Sequence, residues 1–224
     1  RAKNMESLVD YQLVQKIGFV SVATEWIKEA LIYGTGILKV GWLFDEREVI
    51  KREPVKFLGT NLGSRPVVTT EIVQDEPLVD CIDIFDFYVS PGASDIDSAD
   101  YVIHKVIRSK NYLKQMEEKG IFENVDDIED EASETGIDAR LSEIGEGGGD
   151  KKGVTLYEYW TDDRVITVAN QSVVLRNIEN PYWYRRKPFI RIVDTIDPHN
   201  FYGIGESEPI EDLQASLNTI PNMR

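Results

Sequence analysis

The sequence predicts an α+β fold: a long N-terminal helix packed on antiparallel β-sheets or meanders, with a second helix near the other end. Three observations carry this. Between residues 5 and 33, apolar side chains recur at mixed three- and four-residue steps, the spacing of one helix face. Between residues 38 and 193, short runs rich in Val, Ile and aromatics alternate with polar residues and are punctuated by Gly, Pro, Asn and Asp. From Ser207 onward a helical apolar stripe returns.

In chain order, the first helix carries Leu8, Val9, Leu13, Val14, Ile17, Val20, Ala23, Trp26, Ile27, Ala30 and Leu31, and Gly34-Thr35-Gly36 ends it. Leu38, Val40, Trp42 and Phe44 alternate as a strand. A turn at Asp45-Glu46 is expected to lead to a second strand through Val49, Lys51 and Val55. Gly59 to Pro66 reads as a loop from its Gly, Asn, Ser and Pro content. Val67–Val73 and Leu78–Val89 read as two more strands, stopped by Ser90-Pro91-Gly92. Tyr101–Ile107 is a strand with Val102, His104 and Val106 on one face. Ser109 is placed to cap a short helix through Tyr112, Leu113 and Met116, closed by Gly120.

Residues 121–152 change character. Between 121 and 150 there are eleven acids and one base, Arg140, a net of −10 out of the chain's −15. Self-repulsion and few apolar residues predict an exposed, mobile insertion with one weak helix around Ala132–Ile144, tolerant of deletion over 126–149. Calcium loop spacing is absent from it. Strands resume at Val154–Trp160, Val165–Ala169 and Val173–Arg176 as a meander, and Phe189–Val193 is the last. After a loop over 197–205, Ser207 is expected to cap a helix with Pro209 and acids in its first turn, its stripe formed by Ile210, Leu213, Leu217 and Ile220. Pro221 should end or kink that helix.

A chain of 224 residues can bury a sizeable core, as one large domain or two small ones. No apolar run reaches the roughly 18 residues a membrane helix needs, and the start leads into an amphipathic pattern rather than a signal peptide. The first residue, Arg1, is not Met, which reads as part of a longer chain. The lone Cys81 rules out a disulfide framework, fits a reducing compartment and reads as a small buried hydrophobe. Outside the acidic segment the chain is only mildly acidic. Its one basic run, Tyr184-Arg185-Arg186-Lys187, is too short for tight sequence-specific DNA binding.

The chemistry-bearing residues are sparse. His104 and His199 with one Cys cannot build a zinc site of ordinary spacing; each reads as a packed or hydrogen-bonded histidine. No phosphate-binding loop occurs, Gly34-Thr35-Gly36 follows a helix, and Gly203-Ile204-Gly205 is followed by Glu206 and Glu208, which repel anions. Asp83, Asp86, Asp95, Asp97 and Asp100 would be the ligands of a metal-dependent nuclease, but their spacing mixes strand and turn positions and lacks a partner Lys or His motif. No catalytic, cofactor-binding or metal residue is therefore assigned.

Three stretches resemble tailed-bacteriophage portal proteins, the head-to-tail connectors, especially the short-tailed type. They are the helix exit Ala30-Leu31-Ile32-Tyr33-Gly34-Thr35-Gly36-Ile37-Leu38-Lys39-Val40-Gly41-Trp42; Ile84-Phe85-Asp86-Phe87-Tyr88-Val89-Ser90-Pro91-Gly92-Ala93 with Asp97–Ile103 and the Ser109–Met116 helix; and Pro198–Ser207 with Leu213–Asn218. The resemblance implies a wing region over 1–206 bearing the acidic insertion, and over 207–224 the start of a helix leading to the stem. Clip, returning stem helix and crown would follow Arg224. It further implies a structural, non-enzymatic homo-oligomer, a ring normally of twelve at one capsid vertex of the virion, assembled in the host cytoplasm. Its channel would pass double-stranded DNA without sequence specificity during packaging and ejection. Terminase, capsid and scaffold proteins and tail or head-completion adaptors would be its partners, with no membrane and no cofactor. The competing readings are another virion assembly or adaptor protein, and a nuclease using the aspartates above. Trp26, Trp42 and Phe87 are expected in the wing core.

Overall fold

The computed structural model describes residues 2–57, 60–128, 132–133 and 151–222. The chain divides into two compact units, residues 1–20 with 40–79, and residues 21–39 with 80–224.

The first unit opens with α1 (Ala2–Tyr11) and a π-helical turn, Gln12–Ile17. Gly18 then adopts left-handed angles (φ 63°, ψ 41°) and its N–H bonds the Leu13 carbonyl. The expected single helix over 5–33 is therefore interrupted. A glycine takes this conformation without a Cβ clash, so the apolar pattern can continue past the break in α2 (Phe19–Tyr33).

Two long antiparallel partners follow, β1 (Thr35–Phe57) and β2 (Thr60–Ile82), in a three-stranded sheet ordered β10-β1-β2, where β10 is Phe189–Val193. The turn expected at Asp45-Glu46 does not form, and the loop expected at Gly59 to Pro66 is strand from Thr60 onward. The reason lies in the sheet order: β2 is an edge strand, where Pro66 is tolerated because no inner ladder depends on its missing N–H. Cross-strand pairs hold the ribbon. Trp42 Nε1 donates to Asp75 Oδ1 at 2.7 Å, and Lys51 pairs with Glu71. Lys16 pairs with Glu76 at 3.2 Å. Trp42 is 55% exposed rather than buried. Among the described residues of this unit, Val79 is the one buried hydrophobic side chain.

The second unit contains the core. The strand expected over Leu78–Val89 breaks at Asp83, whose carboxylate accepts the Phe85 N–H at 3.0 Å and starts a 3-10 turn, Ile84–Asp86. Then come β3 (Phe87–Val89), β4 (Val102–Arg108) and α3 (Lys110–Glu118), the last capped by Ser109, whose hydroxyl accepts the Tyr112 N–H. Gly120 takes φ 71° beyond its end, as a helix stop requires.

The acidic segment is not wholly an excursion. Phe122, Val125 and Ile128 are buried against Leu113, Val154, Leu156, Ala169 and Leu175. The Glu123 N–H donates to the Leu175 carbonyl at 2.8 Å, and Lys110 Nζ donates to the Ile128 carbonyl at 2.9 Å. The packed region therefore extends through 128, because three apolar side chains at short intervals outweigh the charge of their neighbours. Ala132–Ser133 (β5) pair with Lys151–Lys152 (β6), so the expected helix does not begin at Ala132. The remainder of that helix and the Gly147–Gly149 run lie outside the described residues.

The meander β7 (Val154–Trp160), β8 (Arg164–Ala169) and β9 (Val173–Glu179) completes a five-stranded antiparallel sheet ordered β3-β4-β7-β8-β9. Its apolar alternation matches the sequence expectation. A bulge falls between Thr167 and Val168. A second apolar cluster gathers Ile37, Ile82, Ile84, Phe87, Ile96, Ala99, Val102, Trp160, Val165, Phe189 and Phe201. Phe87 is fully in this core, as expected, while Trp26 is half-buried.

The last helix, α4 (Glu211–Asn222), follows a 3-10 turn at Glu208–Ile210 and includes Pro221 near its end. Its stripe residues Ile210, Leu213 and Leu217 are 56%, 65% and 60% exposed. Ser207 does not cap it. The Ser207 hydroxyl instead donates to the Ile32 carbonyl, and the Glu206 N–H donates to the Leu31 carbonyl at 2.9 Å. These donors satisfy carbonyls that the last turn of α2 leaves free.

Candidate functional site

Parts of two of the three stretches that carry the family resemblance, around Gly34 and around Gly203, meet in the second unit at a junction made of backbone. Gly34 ends α2 with φ 77°. Its carbonyl accepts the Asp194 N–H at 3.1 Å, just after β10. A methyl group on Gly203 would lie 2.6 Å from the Gly34 carbonyl oxygen and 2.7 Å from that of Thr195. One on Gly205 would lie 2.6 Å from the Ile32 carbonyl oxygen, and one on Gly36 2.6 Å from that of Trp26. The Gly203 N–H donates to Thr35 Oγ1 at 2.8 Å, and Thr35 is wholly buried. Thr195 and Ile204 exchange two backbone hydrogen bonds at 3.2 and 2.9 Å. The glycines at 34, 36, 203 and 205 are thus where the exit of α2, the start of β1 and the loop after β10 touch main chain to main chain. Any side chain there would collide with a carbonyl that cannot move aside.

The second feature is a polar row across the inner face of the five-stranded sheet. The register places Phe87 opposite His104, His104 opposite Glu158, Glu158 opposite Thr167, and Thr167 opposite Arg176. On β7, Val154, Leu156, Glu158 and Trp160 share a parity, so Glu158 sits between residues of the two apolar clusters. Lys39, on β1, supplies the counter-charge. Its ammonium pairs with Glu158 Oε2 and lies 3.4 Å from His104 Nδ1, over the rings of Trp160 and Phe189. Trp160 Nε1 donates to the same Glu158 oxygen at 3.2 Å, and Arg176 Nε donates to Thr167 Oγ1 at 3.2 Å.

Burial alone would raise the Glu158 carboxyl, but hydrogen bonding to His104 and the charge of Lys39 outweigh it and hold it well below the usual carboxylate range. Burial lowers His104, the Lys39 charge adds to that, and Glu158 opposes it. At neutral pH the imidazole is therefore uncharged, with Nδ1 between the Lys39 ammonium at 3.4 Å and Glu158 Oε2 at 3.6 Å. Burial likewise lowers Arg176. Each of these polar groups is answered within the row or by Lys39 from β1, which is what a buried network requires to stabilise rather than weaken its surroundings. His104 is thus packed and hydrogen-bonded, as expected from its strand position.

The other sequence candidates are held apart. Asp86 pairs with Lys105 at 3.3 Å, Asp95 lies 3.6 Å from Arg191 Nε, and Asp97 lies 4.0 Å from Arg186. The Asp83 carboxylate makes a local turn, and the Asp100 N–H donates to Ser90 Oγ. No group of three metal-ligating side chains occurs among the described residues. The basic run is neutralised locally. Lys187 is buried with Nζ 2.7 Å from Asp162, and Arg185 lies 3.6 Å from Asp163. Cys81 is half-buried rather than a core residue. Its thiol donates to Glu29 Oε2 at 3.4 Å, and burial, with the Glu29 charge, pushes it up to about 12, which leaves it unreactive at neutral pH. His199 is exposed with φ 70°, and its ring takes no hydrogen-bond partner among the described residues.

Lys39, Glu158, Thr167 and Arg176 were not singled out from the sequence. The available signal was charge or polarity at the inward parity of a strand: Glu158 between Leu156 and Trp160 breaks an otherwise apolar face. No described helix is long and apolar enough to cross a membrane. No curated protein matches the sequence. A family model described as the Phage SU10 portal protein matches residues 58–219, most of the chain, and includes two of the three resembling stretches, the glycine loop at 203–205 and every residue of the sheet row, though not Lys39. The chain belongs to the phage SU10 portal protein family, structural head-to-tail connectors of phage virions.

Proposed function

We propose that the chain is the wing-side part of a portal ring at one capsid vertex. Residues 1–206 form the wing, and residues 207–224 begin the helix that leads toward the stem. The ring, normally of twelve copies, encloses the channel through which double-stranded DNA enters and leaves without sequence recognition. It docks terminase, capsid and scaffold proteins, and tail or head-completion adaptors. Assembly takes place in the host cytoplasm. The chain contributes no catalytic step, cofactor or metal.

The observation that carries this reading is the family match over 58–219. The geometry supports it. The polar groups at the heart of the second unit are spent on one another, and the glycine junction is built for shape rather than for binding a ligand. Shape held to close tolerance is what a subunit needs if many copies must close into a ring.

Imaging of the full-length protein tests the proposal. A closed ring with a central pore is expected, and a protein that stays monomeric at micromolar concentration would overturn it. The adaptor alternative predicts no pore. Assays with ATP and with DNA plus divalent cations are expected to show no turnover. DNA cleavage abolished by Asp83→Asn or Asp86→Asn would establish the nuclease reading instead.

A further inference from the structure

One oxygen of a buried carboxylate has three suitors. Glu158 Oε2 pairs with the Lys39 ammonium and accepts the Trp160 Nε1 hydrogen at 3.2 Å. His104 Nδ1 lies 3.6 Å from the same oxygen and 3.4 Å from Lys39 Nζ. A carboxylate oxygen accepts along two lone pairs, and Lys39 and Trp160 take both. The uncharged imidazole therefore sits beside this oxygen without a place on it.

We propose that Lys39, His104 and Glu158 form an acid-operated latch: when His104 takes a proton, Glu158 exchanges Lys39 for His104 and the Lys39 ammonium leaves for water. A proton on His104 sets two cations against one carboxylate. Like charges this close inside a protein repel strongly, and both cannot bond an oxygen that Trp160 already shares. Which group yields is decided by how each is held. Trp160 is buried in the apolar cluster, against the rings of Tyr182 and Phe189. His104 is held within β4, opposite Phe87 on one side and Glu158 on the other. Lys39 has a flexible four-carbon stem and a side chain already 21% exposed, so a change of rotamer carries its charge to solvent.

The other groups around His104 leave this exchange alone. Asp86, in the 3-10 turn, is engaged by Lys105 at 3.3 Å, and β10 presents the Phe189 ring rather than a charge. Burial and the Lys39 charge oppose the proton, while Glu158 and Asp86 favour it; the balance puts the exchange below the ordinary histidine value of 6.5. The consequence is local. Lys39 opposite Phe189 is the last pair of the β1–β10 ladder, and its ammonium lies over the Phe189 and Trp160 rings. Its departure removes a charged tie from the end of that ladder, which then frays from Lys39 toward Thr35. The latch is contained in one chain and does not depend on the portal reading.

Limited reductive methylation of the wild-type full chain tests the exchange. Formaldehyde and cyanoborohydride are used from about pH 8 to about pH 5, with peptide mass spectrometry as the readout. Dividing the rate at Lys39 by that at Lys114, whose side chain is 53% exposed, cancels the common effect of pH on the chemistry. The ratio should rise at least fivefold with a one-proton midpoint below 6.5, while circular dichroism stays unchanged. Hydrogen exchange, corrected for its intrinsic pH dependence, should show amides at 36–39 and 190–193 losing at least threefold in protection. Those at 156–160 and 165–169 should hold theirs. His104→Gln, which cannot take the charge, should keep the ratio flat; if that variant does not fold, the wild-type ratio and exchange decide. A ratio that stays constant, or rises only in the carboxylate range below 4.5, overturns the latch, as does a rise that persists in His104→Gln. A rise that accompanies loss of circular dichroism, or equal loss of protection in β7 and β8, reports general unfolding and overturns it too.

Discussion

The two units are built by opposite means. The second buries two apolar clusters on either side of a polar row, and its chain crossings are locked by glycines at backbone contact distance. The first is a helix and a long two-stranded ribbon with one buried hydrophobic residue among those described, held by hydrogen bonds and exposed ion pairs. Exposed ion pairs contribute ~0–1 kcal/mol each, whereas a buried large side chain contributes ~1.5–3 kcal/mol. The second unit therefore has the means to fold on its own account. The first has secondary structure without a core, and an element of that kind is completed by contact with something else.

The largest break in this contrast should come at the glycine junction. Gly203→Ala puts a methyl group 2.6 Å from the Gly34 carbonyl oxygen; a loss of at least ~3 kcal/mol or outright failure to fold is expected. Urea unfolding measures it, and a loss under ~1 kcal/mol would mean the junction is looser than described. Next comes a matched pair of truncations. Phe87→Ala should cost ~3–5 kcal/mol, and Ile128→Ala ~2–4 kcal/mol. Trp42→Ala should cost under ~1 kcal/mol in the monomer because the ring is already half in water. That small cost corrects the expectation of Trp42 as a core residue. It also limits any tolerated deletion in the acidic segment, since one starting at 126 removes Ile128.

Acid should weaken the second unit selectively. Both His104 and Glu158 have folded values below their unfolded ones. Their contribution is fully present above the unfolded values, about 6.5 for His and 4.3 for Glu. It is lost as pH falls through the folded values. The melting temperature should therefore drop first below about pH 6.5, and again in the carboxylate range. His104→Gln should remove the first step and, because hydrogen bonding to His104 helps hold Glu158 down, shift the second as well; an unchanged first step would assign it to another group.

The smallest effect concerns Glu29. Burial, largest among several causes, raises its carboxyl to about 7. A raised value works in the opposite sense: stability is present below the unfolded value, near 4.5, and is lost as pH rises through about 7. Glu29→Gln should raise the melting temperature slightly at pH 8, by the equivalent of ~1 kcal/mol or less after solvent screening, and have less effect at pH 5. No difference between the two pH values would show that the carboxylate is better solvated than its position suggests.

By itself the sequence determined the local elements whose signals are local. The strands Val154–Trp160 and Phe189–Val193 and the Ser109-capped helix follow from alternation, a cap and a stop that need no distant partner. The family, too, was legible in short glycine- and aromatic-rich stretches, because those residues are dictated by where chains must cross. Tertiary structure decided the rest. Pro66 lies in a strand because β2 is at a sheet edge, and Ser207 serves α2 rather than its own helix because free carbonyls are close by. Phe122, Val125 and Ile128 are buried because another element offers them a surface. Trp42 is left in water because its strand face meets none in the single chain. The polar row needed four strands in register before Lys39 could find Glu158. Periodicity states which side chains share a face. Burial and pairing are fixed only by what that face meets, often more than a hundred residues away in sequence, as Lys39 and Glu158 are.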